Sequence, residues 1–281
     1  MSYLDRVNAC AGFEPNHFRV FRVGGVSVGH VTADFAAQLQ RFDSVFVVDD
    51  QYVDLHPRFA DAEARRAAVA EVLQALRAEG LVPGWRDEPY PVAEAYNAPC
   101  LLTIERAAVP LFGVRGYGVH MNGYVRRTGE DFMWIGRRSL NKPTGPGKLD
   151  QMVAGGQPAG RSLRDNLIKE CGEEAGIPPA LAAQAKSVGT VSYVIDRSDG
   201  LRRDVLFNFD LELPEDFEPE NVDGEVEAFY LWPMSEVMAR LRDSDDFKFN
   251  SGLVVIDFLV RHGYIDSDHR DYVEIVAELH A

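Results

Sequence analysis

Gly155-Gly156-Gln157-Pro158-Ala159-Gly160-Arg161 leads, through a segment with helical apolar spacing, into Lys169-Glu170-Cys171-Gly172-Glu173-Glu174-Ala175-Gly176-Ile177. The pattern predicts a helix over 162–175 that follows a glycine-rich turn and stops at Gly176. Residues at i, i+3 and i+4 share a helix face, so Glu170, Glu173 and Glu174 fall within one arc of about 100°. Leu167, Ile168, Cys171 and Ala175 occupy the adjacent arc and are its buried side. Three carboxylates near a helix C-terminus repel one another and oppose the helix dipole. A hard divalent cation such as Mg²⁺ or Mn²⁺, held by carboxylate oxygens and by substrate phosphates, would compensate them. Gly172 costs about 1 kcal/mol of helix propensity against Ala, which points to a close approach at this turn. The competing reading is a solvated acidic helix end.

Around this helix the spacing predicts strands over 119–125, 132–137, 187–195, 204–211 and 226–232, and helices over 235–241 and 252–262. The first third is mixed: strands over 17–23, 26–31 and 45–48, an alanine-rich helix over 61–79, a turn-rich stretch over 83–99 and a strand over 100–104. Pro110, Gly113 and Gly116 break the periodicity, dividing the chain into an α+β module at 1–113 and an α/β domain at 114–281. No internal repeat or low-complexity tract is present.

The composition, 46% hydrophobic and 26% charged, is that of a globular protein. The run from Leu253 to Val260 is broken by Asp257 and falls far short of the ~20 residues that span a bilayer, so no membrane association is expected. Cys10, Cys100 and Cys171 are too far apart for a disulfide framework or a Cys-x-x-Cys site. With no basic stretch followed by an apolar one at the N-terminus, a cytoplasmic location is expected. Lys and Arg total 29 against 44 Asp and Glu, and the net charge of −15 argues against a nucleic-acid partner. Two local departures stand out: seven bases against two acids from Arg115 to Lys148, and eight acids without a base from Glu212 to Glu227.

Gly25-Val26-Ser27-Val28-Gly29 matches the Gly-x-Ser-x-Gly string of a hydrolase nucleophile elbow, but it sits in a predicted hairpin instead of between strand and helix. There is no Gly-x-Gly-x-x-Gly or Gly-Lys-Ser/Thr phosphate loop and no His-Glu-x-x-His zinc pair.

The string from Gly155 to Ile177 resembles the Nudix box: Gly, five residues, Glu, seven residues, Arg-Glu-apolar-x-Glu-Glu-x-Gly-apolar. Gly155, Glu170, Cys171, Glu173, Glu174, Gly176 and Ile177 match in register, and Gly156 extends the opening turn. Arg161 stands where the first Glu belongs and cannot ligate a metal. Lys169 replaces the Arg and keeps a cation beside Glu173 and Asp165. Nearby, His120-Met121-Asn122-Gly123-Tyr124-Val125, Trp134-Ile135-Gly136-Arg137-Arg138-Ser139, Lys142-Pro143-Thr144 and Pro146-Gly147-Lys148-Leu149-Asp150 look like one branch of that family. In that branch an N-terminal module precedes the hydrolase domain, and the pair is similar to the N-terminal half of fungal thiamine pyrophosphokinases. Matching segments run from about Glu105 to Ile177.

The resemblance implies a Nudix-type α/β/α sandwich with a mixed sheet, preceded by a smaller α+β domain. It implies Mg²⁺ or Mn²⁺ on Glu170, Glu173 and Glu174, and cleavage of a small-molecule diphosphate, thiamine-like or damaged thiamine, to the monophosphate and phosphate. Glu173 and Glu174 would carry the chemistry, with Glu225 or Glu227 as a further base or ligand. Arg137, Arg138, Lys142 and Lys148 would neutralise the phosphate oxygens. The N-terminal module would shape the ring end of the pocket with aromatics such as Phe42, Phe46, Tyr52 and Trp85. A homodimer is left open. Two rival readings are an isopentenyl diphosphate isomerase-like enzyme, which needs a cysteine proton donor that the segment 149–155 lacks, and a non-catalytic Nudix-like binding module. The three crowded carboxylates count against the second.

Overall fold

A computed structural model describes residues 2–280. The N-terminal part contains α1 (Tyr3–Asn8), β1 (Ala11–Gly12), β2 (Phe18–Val23), β3 (Val26–Thr32), α2 (Ala33–Gln40), β4 (Phe46–Val48), β5 (Tyr52–Leu55), α3 (Ala62–Ala78), β6 (Pro89–Val92), β7 (Leu102–Glu105) and α4 (Val109–Phe112). There follow β8 (Arg115–Arg127), β9 (Glu130–Arg138), β10 (Leu149–Gln151), β11 (Val153–Gly156), α5 (Leu163–Ala175), α6 (Pro179–Ala182), β12 (Lys186–Arg197), β13 (Gly200–Glu212), β14 (Val226–Pro233), α7 (Met234–Asp243), α8 (Phe249–Arg261) and α9 (Tyr272–Leu279). No helix among the described residues is long and apolar enough to cross a membrane.

The large sheet runs β1-β12-β13-β8-β9-β10, with β11 added to β8 and β14 to β9. It is mixed, since β13 and β8 are parallel while β8 and β9 are antiparallel. Leu167, Cys171 and Ala175 of α5 pack on one face with Val119, Met121 and Val153. On the other face α7, α8 and α9 bury Val237, Leu253, Phe258 and Ile275 with Met133 and Ile135. This is the α/β/α sandwich expected from the sequence.

The smaller core gathers a β3-β2-β5-β4 sheet, the stripe Val69, Val72, Leu73 and Leu76 of α3, and Phe112 of α4. Gly24 and Gly25, both at positive φ (60° and 84°), make the tight β2–β3 turn, so Ser27 lies within a hairpin strand and not at an elbow. The turn-rich stretch over 83–99 contains β6: Pro89 and Pro91 alternate, and with Glu88 accepting from the Arg106 N–H, their missing donors fall on the ribbon's open edge.

The first residues lie across the division placed at 113: Tyr3, Val7 and Cys10 are buried in the α8 and α9 layer, and β1 pairs in parallel with β12. A six-residue helix and a two-residue strand are too short to show periodicity.

Candidate active site

β11 pairs Gly155 with Val119 and Gly156 with Gly118, setting the glycine-rich turn at the head of α5. Ser162 Oγ caps that helix by accepting from the Asp165 N–H at 3.1 Å, and Gly176 closes it at φ 64°. Burial of Leu167, Cys171 and Ala175, all at 0% exposure, fixes its rotation. Glu174 is 5% exposed and accepts from the Ala154 N–H at 2.7 Å. Glu170 lies against Gly155, where a Cβ would stand 2.4 Å from its carboxyl carbon. Lys169 bridges Glu173 and Glu170. Nothing lies within 4 Å of a Cβ built on Gly172, so close approach does not explain that glycine.

Burial pushes the Glu174 carboxyl up to about 8 and raises that of Glu170. Oxygen-only donors suit a hard divalent cation, and the missing Cβ at Gly155 lets the Glu170 carboxyl lie against the box turn. The carboxylates are not gathered in this conformation. Among the described residues no three acidic, histidine or cysteine side chains converge as a cation cage. Arg161 stands apart from them, its carbonyl accepting from Gln157 Nε2 at 2.6 Å.

A cleft of about 580 Å³ separates the two parts of the molecule. Its floor includes Gly118, Ala154, Gly155, Gly156, Lys142 and Glu225; its roof comes from the N-terminal module through Arg86, Tyr90, Arg106, Pro110 and Leu111. A cavity of about 10 Å³ beside it is lined by Glu174, Glu225, Arg138 and Asp150, the room of about one water.

Of the expected phosphate-binding residues, Arg138 and Lys142 line the cleft, and Glu225 pairs with Lys142. Arg138 is 8% exposed and already engaged, bonding Asp150 at 2.6 Å and the Thr144 carbonyl at 2.8 Å. Arg137, Glu227 and Lys148 lie elsewhere. Strand side chains alternate, so Arg137 shares the face of Met133 and Ile135, opposite Gly136 and Arg138. It meets Glu227, the extra residue of a bulge in β14, at 3.7 Å on the exposed side. Lys148 Nζ donates to the Asp245 carbonyl. Arg126 and Arg127 stand near Glu212 and Glu215 at 3.6 and 4.0 Å, away from the cleft. The basic run is therefore continuous in sequence only.

The sequence reading missed four other cations of the cleft: Arg86, Arg106, Arg202 and Lys248. Arg86, Arg106 and Lys248 are single cations in the chain and Arg202 sits in an Arg202-Arg203 pair, and none belongs to a motif that would flag it. Lys248 lies 3.7 Å from Asp150, and burial holds its ammonium below the usual lysine range. The aromatic expectation is also corrected. Phe46 is 1% exposed in the module core, Phe42 and Trp85 pack against that core, and Tyr52 lies under the Arg22 guanidinium at 3.6 Å. Tyr90, Tyr117 and Phe249 line the cleft instead. None of the three cysteines does, and Cys171 is fully buried with its thiol pushed up to about 12 by burial, so the isomerase reading has no proton donor here.

Residues 116–251 match the NUDIX domain family, and residues 1–116 match a domain of unknown function, DUF4743. Nudix hydrolase 20, chloroplastic, of Arabidopsis thaliana is 45% identical over 288 positions, covering 99% of this chain and 77% of its own length. Nudix hydrolase 24, chloroplastic, of the same plant is 46% identical over 282 positions, with the same two coverages of 99% and 77%. An uncharacterized protein of Saccharomyces cerevisiae is 33% identical across 85% of this chain and 74% of its own length. The sandwich and its box define a Nudix domain, and the chain belongs to the Nudix hydrolase family. It is an enzyme of the class that hydrolyses phosphoric anhydrides. The cytoplasmic expectation does not stand against these relatives, since both plant proteins are named chloroplastic.

Proposed function

We propose that this enzyme hydrolyses the diphosphate of a small ring-bearing molecule, a thiamine diphosphate-like or damaged-thiamine compound, to the monophosphate and phosphate with Mg²⁺ or Mn²⁺. The observation that carries this reading is the lining of the cleft. Arg86, Arg106, Arg138, Lys142, Arg202 and Lys248 face it against Asp199, Asp204 and Glu225, an excess of cations in a chain of net charge −15. Such a lining concentrates a phosphate tail, and about 580 Å³ is the size of a small-molecule site. Tyr90, Tyr117 and Phe249 offer planar surface to a ring. Asp204, which accepts from the Tyr193 hydroxyl, adds a carboxylate to the lining that would suit a ring carrying positive charge.

Glu170, Glu173 and Glu174 are the residues that would hold the divalent ion, which supplies charge neutralisation at phosphorus and an activated water. Lys142 and Lys248 present ammonium groups to the phosphate oxygens. Glu225, which lines the cleft and is ion-paired with Lys142, would take the proton of the attacking water. Catalysis on this scheme is mostly positioning and charge stabilisation. The test is a phosphate-release screen with Mg²⁺ and Mn²⁺ over thiamine diphosphate and its oxidised analogues, nucleoside di- and triphosphates, sugar nucleotides and dinucleotides. Thiamine-type diphosphates should have the highest kcat/KM. A nucleotide preference would overturn the substrate, and no release from any diphosphate would overturn the reaction.

A further inference from the structure

The N-terminal module holds one guanidinium beside the box, and its placement is built in several layers. Glu105, 9% exposed at the end of β7, accepts the backbone N–H groups of Arg86, Glu88 and Ala107 at 2.8, 3.1 and 3.2 Å. The Arg106 N–H donates to the Glu88 carbonyl at 2.9 Å. One carboxylate thus ties together the two segments that carry Arg86, Glu88 and Arg106. The same ribbon is docked on the box turn, where the Ala159 N–H donates to the Pro89 carbonyl at 2.9 Å. A Cβ on Gly156 would lie 1.7 Å from the Tyr90 hydroxyl oxygen and 3.1 Å from the Arg106 guanidinium carbon. The neighbouring Gly155 lies against Glu170.

Arg106 is not spent on docking. Glu88 accepts from its Nη1 at 2.8 Å, while Nε and Nη2 meet no acceptor among the described residues, and the side chain is 44% exposed. Arg138, at the end of β9, is the contrast: 10% side-chain exposure and bonds to Asp150, Thr144 and Gly145. A planar guanidinium with two adjacent donors free matches two oxygens of one phosphate.

We propose that Arg106 is a phosphate-binding residue of the active site, supplied across the cleft by the N-terminal module and positioned by Glu88 and Glu105. This rests on reading the cleft as a diphosphate site. It gives the module a part at the phosphate end of the substrate, where the sequence suggested only a part at the ring end.

The ligand for the test is methylenediphosphonate, a diphosphate analogue that is not hydrolysed, measured by calorimetry on the full chain. Its Kd should rise about 10- to 100-fold in R106Q, the worth of charge-assisted hydrogen bonds. R106K, which keeps the charge and loses the fork, should fall between R106Q and wild type. R58Q, at an exposed cation of the same module outside the cleft, should bind as wild type. A second measurement avoids any effect of substitution on folding: phenylglyoxal labelling of Arg106 in the wild-type protein, mapped by peptide mass spectrometry, should be suppressed by methylenediphosphonate while labelling of Arg58 is not. Equal Kd in wild type and R106Q, or Arg106 labelling indifferent to the analogue, overturns the role of Arg106 alone. Failure of the wild type to bind the analogue overturns the diphosphate site and Arg106 with it.

Discussion

The two walls of the cleft are built in different ways. The box wall, which reaches the cleft through Ala154, Gly155 and Gly156, is local: behind that turn a cap at Ser162, a stop at Gly176 and a buried stripe at Leu167, Cys171 and Ala175 orient the carboxylates within one helix, of which Glu174 meets the small adjoining cavity and none lines the cleft itself. The opposite wall is assembled from Pro83, Arg86, Tyr90, Arg106 and Leu111, residues that meet only because β6, β7 and α4 fold onto a separate core. A wall made by helix periodicity can be read from spacing. A wall made by tertiary packing cannot, even when it carries charges.

If the box wall does the chemistry, its variants give the largest effect. Glu173→Gln and Glu174→Gln should each lower kcat by at least about 10²-fold with far-UV circular dichroism unchanged. In Glu174→Gln the side-chain carbonyl can still accept from the Ala154 N–H, which protects the fold. EDTA should abolish wild-type turnover, and Mg²⁺ or Mn²⁺ should restore it. Near-wild-type rates in both variants would move the chemistry off this wall.

The same distinction explains how far the sequence could be read. The helix from Ser162 to Ala175, its glycine stop and the sheet on which it packs were legible because apolar spacing and caps are local signals. Arg137 and Arg138 were read together because they are adjacent, yet a strand sends neighbours to opposite faces, and one lines the cleft while the other meets Glu227. Glu225 and Glu227 were parted by the bulge in β14. Phe46 looked like a ring-binding residue because composition does not reveal which aromatics a core consumes. Arg106 and Lys248 carried no signal at all, being single cations that only packing brings to the cleft.

The contact between the walls can be opened at Gly156. A methyl group there meets the Tyr90 hydroxyl at 1.7 Å, so the ribbon or the box turn must move. Gly156→Ala should cost about 1–3 kcal/mol of stability, as overpacking does, and should raise KM by spreading the phosphate-binding groups. A melting temperature and KM equal to wild type would mean that the two walls are not rigidly joined.

Acid should act on the cleft through a buried histidine of β8. His120 is 4% exposed beneath the cleft, its Nδ1 2.8 Å from Gln151 Oε1, and burial lowers its pKa from 6.5 to about 4. Below pH 6.5 the unfolded chain takes up a proton that the native protein refuses until about pH 4. The stability that this histidine contributes is therefore complete above 6.5 and falls by about 1.4 kcal/mol per pH unit on acidification toward 4, whereas Glu174, raised from 4.5 to about 8, gives a slope of opposite sign between those values. His30, where β3 meets Arg203 of β13 at 3.3 Å, is lowered in the same direction, chiefly by burial. Urea midpoints at pH 7.5, 6.0 and 5.0 should show this contribution as a difference between wild type and variant, the midpoint falling less on acidification in His120→Gln and in His30→Gln than in wild type. An equal slope in wild type and His120→Gln would show that this histidine is free to protonate in the native state.

The smallest effect separates two cations that sequence alone could not rank. Lys248 lines the cleft with 12% of its side chain exposed, and Lys248→Met leaves Asp150 paired with Arg138 at 2.6 Å, so the fold should tolerate the change. Losing one ammonium from a phosphate site should raise KM about 10-fold with little change in kcat. Arg137→Ala removes a residue of the same charge, about half exposed on the far side of β9, where it meets Glu227 at 3.7 Å. An exposed pair of this kind contributes about 0–1 kcal/mol to stability, and its loss should leave both KM and kcat at wild-type values. Added salt should weaken binding in wild type and Arg137→Ala alike, and less steeply in Lys248→Met. If Arg137→Ala raises KM while Lys248→Met does not, the phosphate tail leaves the cleft by the outer face of β9, and the division between the two walls must be redrawn there.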